Sequence, residues 1–331
     1  MKRNIWLDGM MGLVIGDALG VPVQFMTRNE IESRLEGPVT TMEAGGVFNM
    51  PEGTWSDDSS MAIATLASIM EEKEIVPSDI MLRFVQWEIN GEYTPFGEAF
   101  DQGKTCRQAI YNFIEKPDTS TCGITGEYAN GNGALMRILP VCLYLYVRQK
   151  TVCTSEDEAV EMIHRVSGLT HNHLRSKMCC SLYYFMAKSI IEGLENKENA
   201  SLKFLLQKGI DSGLKYYGRD LRNLTEMAYL GRLFHLDEFA DVKEADIKST
   251  GYVIDTIEAA IWCLITTFSY KECMLKAVNL GGDTDTLAAI AGGLAGLYYG
   301  YEQIPKEWLA VIKKREWIEG MCDASAYEIR Q

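Results

Sequence analysis

Apolar residues recur at three- and four-residue steps along much of this chain. Segments 156–169 (EDEAVEMIHRVSGL), 176–194 (SKMCCSLYYFMAKSIIEGL) and 255–268 (DTIEAAIWCLITTF) each place an apolar stripe along one helical face. No segment alternates apolar and polar residues in the manner of a strand, and no fixed-period repeat or low-complexity linker interrupts the pattern. Proline placement points the same way. Seven of the eight prolines lie at or before Pro140 and the last is Pro305. A proline-free stretch of that length, rich in Leu, Ala, Met, Glu and Lys, predicts a run of helices. Ser269 with Glu272 marks a helix start, and Gly281 marks the following stop. The main irregular stretch is 37–55. One all-α domain over residues 1–331 is the economical reading.

Two stripes of small residues refine this picture. Gly9, Gly12, Gly16 and Gly20 share one helical face, and 288–296 reads AAIAGGLAG. Glycine inside a helix costs about 1 kcal/mol relative to alanine, so such stripes call for a compensating gain. Close approach of two helix backbones supplies one.

Composition narrows the partners. Of 331 residues, 47% are hydrophobic and 24% charged, which is ordinary for a globular chain. Lys and Arg total 32 against 46 Asp and Glu, a net charge of −14. That balance argues against binding to a nucleic-acid phosphate backbone and against a polybasic membrane patch. Asp8 and Asp17 interrupt the apolar N-terminal run, and no small-residue cleavage site follows it, so neither a signal peptide nor a membrane span is expected. Nine scattered cysteines with no CxxC pattern read as buried thiols in a reducing cytoplasm, and they make a zinc site improbable.

Two acidic clusters each sit where a helix begins. The first is Ser56-Asp57-Asp58, ahead of SSMAIATLASIMEE; the second is Asp283-Thr284-Asp285-Thr286, after Gly281 and Gly282 break the preceding helix. Helix capping explains one such residue readily. It explains two acids plus a hydroxyl, twice over, less well. Together the clusters form an all-oxygen set suited to a hard divalent cation such as Mg²⁺ or Mn²⁺, with charge enough for two. An EF-hand counted from Asp283 fails, because its sixth and twelfth positions are Ala288 and Leu294. A DDxxD motif fails at Met61, and a phosphatase DxDxT motif would follow an apolar strand rather than helix-stop glycines.

With these residues in view, the chain resembles the ADP-ribosylglycohydrolase family. The resemblance runs from GLVIGDALGVPVQF near the N-terminus to LGGDTDTLAAIAGGLAG near residue 296, with WSDDSSM, FDQGKT, NGNGALMR, SGLTHNH and TGYVIDTIEAAIW between them in family order. It implies a compact all-α orthogonal helical bundle with a two-metal centre in a cleft for ADP-ribose. Ser56, Asp57, Asp58, Asp283, Asp285 and Thr286 correspond to the family's metal-binding motifs, with Ser56 replacing the commoner Thr. Asp101 and Gly103 of FDQGKT correspond to a segment against the substrate ribose. Asn130, Gly131, Asn132 and Gly133 correspond to a loop approaching the diphosphate. His171 matches a histidine beside the nucleotide, and Tyr252 an aromatic on the cleft wall.

One position departs from the family. Many members carry Glu where this chain has Gln24, which can contact substrate, metal or water through its carbonyl oxygen but cannot accept a proton near neutral pH. The resemblance therefore implies hydrolysis of the glycosidic bond linking ADP-ribose to a protein side chain or small conjugate, with two Mg²⁺ or Mn²⁺ ions as cofactors. Asp101 and the metal-bound Asp58 are the candidate catalytic carboxylates. The competing expectation is an ADP-ribose-binding or immunity protein of the same fold with little turnover. Nucleic acid is expected as a partner only if it is itself the modified substrate.

Overall fold

The computed structural model describes residues 3–329 and is all-α; among the described residues there is no strand. Helices of ten or more residues are numbered here in chain order. They are α1 (Ile5–Gly20), α2 (Asp57–Glu72), α3 (Pro77–Asn90), α4 (Lys104–Glu115), α5 (Leu139–Val152), α6 (Glu156–Gly168), α7 (Leu174–Glu195), α8 (Leu202–Tyr217), α9 (Val253–Ile265), α10 (Tyr270–Asn279), α11 (Thr284–Tyr299) and α12 (Arg315–Glu328). Many start on side-chain caps. Ser56 caps α2, Ser155 with Glu158 forms a capping box on α6, and the Ser269 side chain accepts from the Glu272 amide to open α10.

Helices α1 and α11 form the centre, and both are buried almost throughout. Their contact is made by backbone. A Cβ on Gly12 would sit 2.3 Å from the Gly292 carbonyl oxygen, and one on Gly16 would sit 2.0 Å from that of Ala288. A Cβ on Gly20 would lie 2.3 Å from the Asp285 amide nitrogen. The two small-residue stripes therefore face each other. They seat the end of α1 against the start of α11, where the Thr284 hydroxyl also donates to the Gly20 carbonyl oxygen at 2.9 Å. Helix α1 with its following turn, Ile5–Val23, is long and apolar enough to cross a membrane by composition, but 89% of its apolar window is buried inside the fold.

Two details differ from the sequence reading. The proline-free stretch is not helical throughout. Between α8 and α9 it breaks into short α-helical and 3-10 pieces such as Leu224–Met227 and Leu236–Ala240, where Asp220 caps locally and few residues are buried. Eight of the nine cysteines are buried free thiols, but Cys153 is exposed, held in the left-handed position that ends α5 (φ 57°). Replacing Gly16 with Ala is expected to lower stability by about 2 kcal/mol or more through overpacking, read as a fall in melting temperature. Gly231→Ala, at a position with no atom within 4 Å of the added carbon, should leave it nearly unchanged.

Candidate active site and metal centre

Four loops converge beside the α1–α11 contact and are laced together through backbone. Phe25 donates to the Gly282 carbonyl oxygen and Gly282 donates to that of Met26, both at 2.7 Å. Asp283 donates to the Ser249 oxygen at 2.8 Å, Asn132 to that of Gly251 at 3.1 Å, and Val253 to that of Asn130 at 2.9 Å. This lacing explains the paired glycines before Asp283. Both adopt left-handed φ (74° and 77°), and a Cβ on Gly282 would lie 2.1 Å from the Ser249 oxygen.

The two acidic clusters meet at the starts of α2 and α11. The Ser56 hydroxyl donates to Asp58 Oδ2 at 3.1 Å, and the Thr286 hydroxyl from the other cluster reaches the same oxygen at 3.3 Å. Asp285 accepts from the Thr286 amide at 2.9 Å. Asp57, Asp58 and Asp285 are buried, and burial, reinforced by neighbouring carboxylates, raises the pKa of each well above the ordinary aspartate range. Asp58 Oδ1 and Asp285 Oδ2 are buried with no hydrogen-bond partner. Orphaned acceptors among like charges fit a divalent cation, which would satisfy the oxygens and offset the repulsion together.

Asp17 brings a third acid close. A carboxylate oxygen from each of Asp17, Asp58 and Asp285 falls within 4.8 Å of the others. Asp17, however, is already committed: it accepts from the amides of Ser56 (2.9 Å) and Ser59 (3.0 Å) and from the Ser59 hydroxyl (2.5 Å). It thus anchors the first turn of α2 from α1. Burial raises its pKa to about 6, against the lowering effect of those donors. Ser59 and Asp17 belong to the support of the site; both lie within strings that carry the resemblance, WSDDSSM and GLVIGDALGVPVQF, but their pairing is not readable from either.

Above the acids lies an open cavity of about 240 Å³. Its wall brings together Gln24, Asp57, Asp101, Gly103, Gly131, Asn132, Gly133, His171, Asp283 and Thr286, residues from distant parts of the chain. Ser56, Asp58 and Asp285 lie buried beneath it. Asp101 adopts a left-handed backbone conformation (φ 63°), which aspartate tolerates better than most residues. The Gln24 Nε2 donates to Asp101 Oδ2 at 2.6 Å, while Gln24 Oε1 is buried and unpartnered. Burial raises the Asp101 pKa to about 6, partly countered by that donor.

Other sequence-selected residues have different surroundings. The Asn132 side chain turns toward the acids, donating to Asp283 Oδ2 at 2.7 Å and to Thr256 Oγ1 at 3.1 Å. Asn130 is buried and uses its amide on the Glu127 carbonyl oxygen. Tyr252 opens α9 outside the cavity wall, with its hydroxyl accepting from Arg175 Nη1 at 3.0 Å. His171 is 2% exposed, unlike a surface or capping histidine, whereas His173 does cap α7. Thr256, six residues into TGYVIDT, was missed because its part in the site depends on the loop pairing and not on local pattern.

An all-helical frame with a buried acid cluster at two helix starts, under a polar cavity, defines a class of carboxylate-centred protein. The comparisons sharpen this: a match to the ADP-ribosylglycohydrolase family spans residues 3–331, and the chain belongs to that family of enzymes. ADP-ribosylarginine hydrolase Tri1 of Serratia proteamaculans is 30% identical over 319 residues, covering 96% of this chain and 78% of that protein. ADP-ribosyl-[dinitrogen reductase] glycohydrolase of Rhodospirillum rubrum is 28% identical over 304 residues, covering 92% and 88%. A solved structure described as an ADP-ribosylglycohydrolase-related protein complex superposes with a TM-score of 0.75 at 26% identity, covering 99% of this chain and 98% of that one.

The electrostatics predict a cation effect on stability. A carboxylate whose pKa is raised on folding binds its proton more tightly in the folded state, so it favours the fold at low pH and opposes it as pH rises. Mg²⁺ or Mn²⁺ at a hundredfold excess over Kd is expected to stabilise the protein by about 3 kcal/mol at pH 7.5. Near pH 5 the gain should shrink, because more of these carboxylates hold a proton that the cation must displace. Melting curves with and without chelator at the two pH values check both parts.

Proposed function

We propose that this protein hydrolyses the glycosidic bond joining ADP-ribose to a protein side chain or small conjugate, with divalent-metal assistance. The observation that carries the reading is the junction of the α2 and α11 starts. Paired carboxylates and hydroxyls from opposite ends of the chain meet there under a cavity that also holds Asp101. The names of the relatives support the substrate class. Ser56, Asp57, Asp58, Asp283, Asp285 and Thr286 would hold one or two Mg²⁺ or Mn²⁺ ions, which when bound supply Lewis-acid binding of oxygen and charge neutralisation.

The chain's own groups account for the remaining steps. Cleavage at the anomeric carbon passes through an oxocarbenium-like state, so the ribose must be held and a water delivered to one face. Of the two candidate catalytic carboxylates, we assign the proton-accepting role to Asp101, which lines the cavity, over Asp58, which is buried. The Asp101 pKa of about 6 suits work near neutral pH, and Gln24 holds one of its oxygens. The water's oxygen bonds to the anomeric carbon and its proton passes to Asp101. The bond to the leaving nitrogen or oxygen breaks with its electron pair, that pair takes up the proton Asp101 received from the water, directly or through solvent, and the carboxylate is restored. Gly131 and Gly133 let their loop pack close against His171, since a Cβ on Gly133 would lie 2.8 Å from Cys106 Sγ and 2.9 Å from the His171 ring, and one on Gly131 3.2 Å from His171 Nε2. Asn132 keeps Asp283 oriented.

The decisive measurement is release of free ADP-ribose from ADP-ribosyl-arginine, ADP-ribosyl-serine, O-acetyl-ADP-ribose and modified nucleic acid, with and without Mn²⁺. Turnover is expected on at least one, and Asp57→Ala and Asp285→Ala are each expected to lower it by roughly a hundredfold or more. Unchanged turnover in those variants, or after thorough chelation, defeats the metal-dependent mechanism.

Gln24 motivates the second reading, a binding or immunity protein with little turnover. In that case the wild type binds ADP-ribose saturably without cleaving it, and Gln24→Glu gains activity. The hydrolase reading expects the opposite. A glutamate at this position would face Asp101 at the 2.6 Å now spanned by a donor, and turnover should fall by roughly tenfold as the two acids compete for one proton. Calorimetry and product release on both proteins separate the two.

A further inference from the structure

Arg137, on the loop just before α5, is fully buried, and among the described residues it forms no ion pair. Its guanidinium lies over the Phe84 ring, 4.7 Å from the centroid. Nη2 donates to the Val166 carbonyl oxygen at 3.2 Å and to Thr170 Oγ1 at 2.9 Å. That second bond constrains the next residue. Thr170 Oγ1 also lies 2.9 Å from His171 Nδ1.

A threonine hydroxyl has one proton to give. With the guanidinium occupying a lone pair on Oγ1, that proton is available for donation, and two acceptors are near: the His171 ring nitrogen and the Cys106 thiol. A thiol sulfur is a weak acceptor and an imidazole nitrogen a strong one. Donation to the ring nitrogen is therefore favoured over donation to the thiol. Burial, with the Arg137 charge nearby, pushes the His171 pKa down to about 3, so the ring is neutral near pH 7. A neutral imidazole whose Nδ1 accepts carries its hydrogen on Nε2. The backbone holds the segment in place: His171 donates to the Ser167 oxygen at 2.9 Å, and Ile124 and Asn172 pair across it.

We infer that Thr170, held by Arg137, is a positioning residue that locks His171 as the Nε2–H tautomer, so that the cavity meets a neutral hydrogen-bond donor. Nε2 has no protein partner among the described residues and lies on the cavity side, where a Cβ on Gly131 would come within 3.2 Å of it. The ligand chemistry it suits is an oxygen acceptor. The inference rests on the reading that an ADP-ribosyl group enters here, since diphosphate oxygens can only accept near neutral pH. An Nδ1–H ring would offer such oxygens a lone pair and repel them.

The test uses the full-length, ligand-free protein, labelled with ¹⁵N, and reads the His171 tautomer from two-bond ¹⁵N–¹H correlations. The wild type is expected to show the Nε2–H pattern, Thr170→Val to lose it or mix the two tautomers, and Thr170→Ser to restore it. An Nδ1–H pattern in the wild type overturns the inference, and so does a pure Nε2–H pattern surviving in Thr170→Val. With an ADP-ribosyl substrate, Thr170→Val should raise KM roughly tenfold and leave kcat within about twofold. Thr170→Ser should return KM to near the wild-type value. An unchanged KM in Thr170→Val also counts against the role. Because the tautomer is read without substrate, failure of the hydrolase reading appears separately, as absence of product from every conjugate.

Discussion

The close approach of α1 and α11 governs the rest of the molecule. Helix α1 can reach the backbone of α11 only where no side chain is directed at the contact, and Gly12, Gly16 and Gly20 lie against the backbones of Gly292, Ala288 and Asp285 at distances no Cβ could share. The approach places the last turn of α1 against the first turn of α11. From there Asp17 of α1 reaches the opening amides of α2, and a second helix start is drawn to the same point. Glycine's weak helix propensity is offset by the burial this contact makes possible. The geometry of the acids follows from it.

Bringing helix starts together concentrates donors as well as carboxylates. The first-turn amides of α2 and the hydroxyls of Ser56, Ser59 and Thr286 supply hydrogen bonds to Asp17 and Asp58 that bulk water would otherwise provide. They do not suffice. Oxygens of Asp58 and Asp285 stay unpartnered in the interior, and the acids hold their protons more tightly than exposed ones do. Under the proposed function a divalent cation would satisfy those oxygens. On the same reading, bound cations would also offset the negative charge of the acids where an anionic diphosphate enters a chain of net charge −14.

The cavity wall shows the same economy. Gln24 and Asp101, 77 positions apart, share one hydrogen bond, so the residue that departs from the family pattern serves as the donor that steadies the acid. Asn132 acts through its side chain on Asp283, whereas its neighbours Gly131 and Gly133 act by having none. Three adjacent residues thus serve two purposes within one loop.

Much of this was legible in the chain itself. Helical periodicity, the absence of proline from 141 to 304, the caps at Ser56 and Ser269, and the two glycine stripes each depend on neighbours a few positions away, where sequence and geometry are tightly linked. The acidic clusters were legible for the same reason, because Ser-Asp-Asp and Asp-Thr-Asp-Thr stand out against their flanking residues. What the chain could not disclose is which distant groups share a space. The commitment of Asp17 to Ser59, the turn of Asn132 toward Asp283, the place of Tyr252 outside the cavity wall and the link from Arg137 through Thr170 to His171 all rest on pairings between separate elements. Such pairings are set by how helices pack and loops lace, which no local pattern encodes. Local order was therefore determined by the sequence alone, while hydrogen-bond partners and burial were decided only by the tertiary structure.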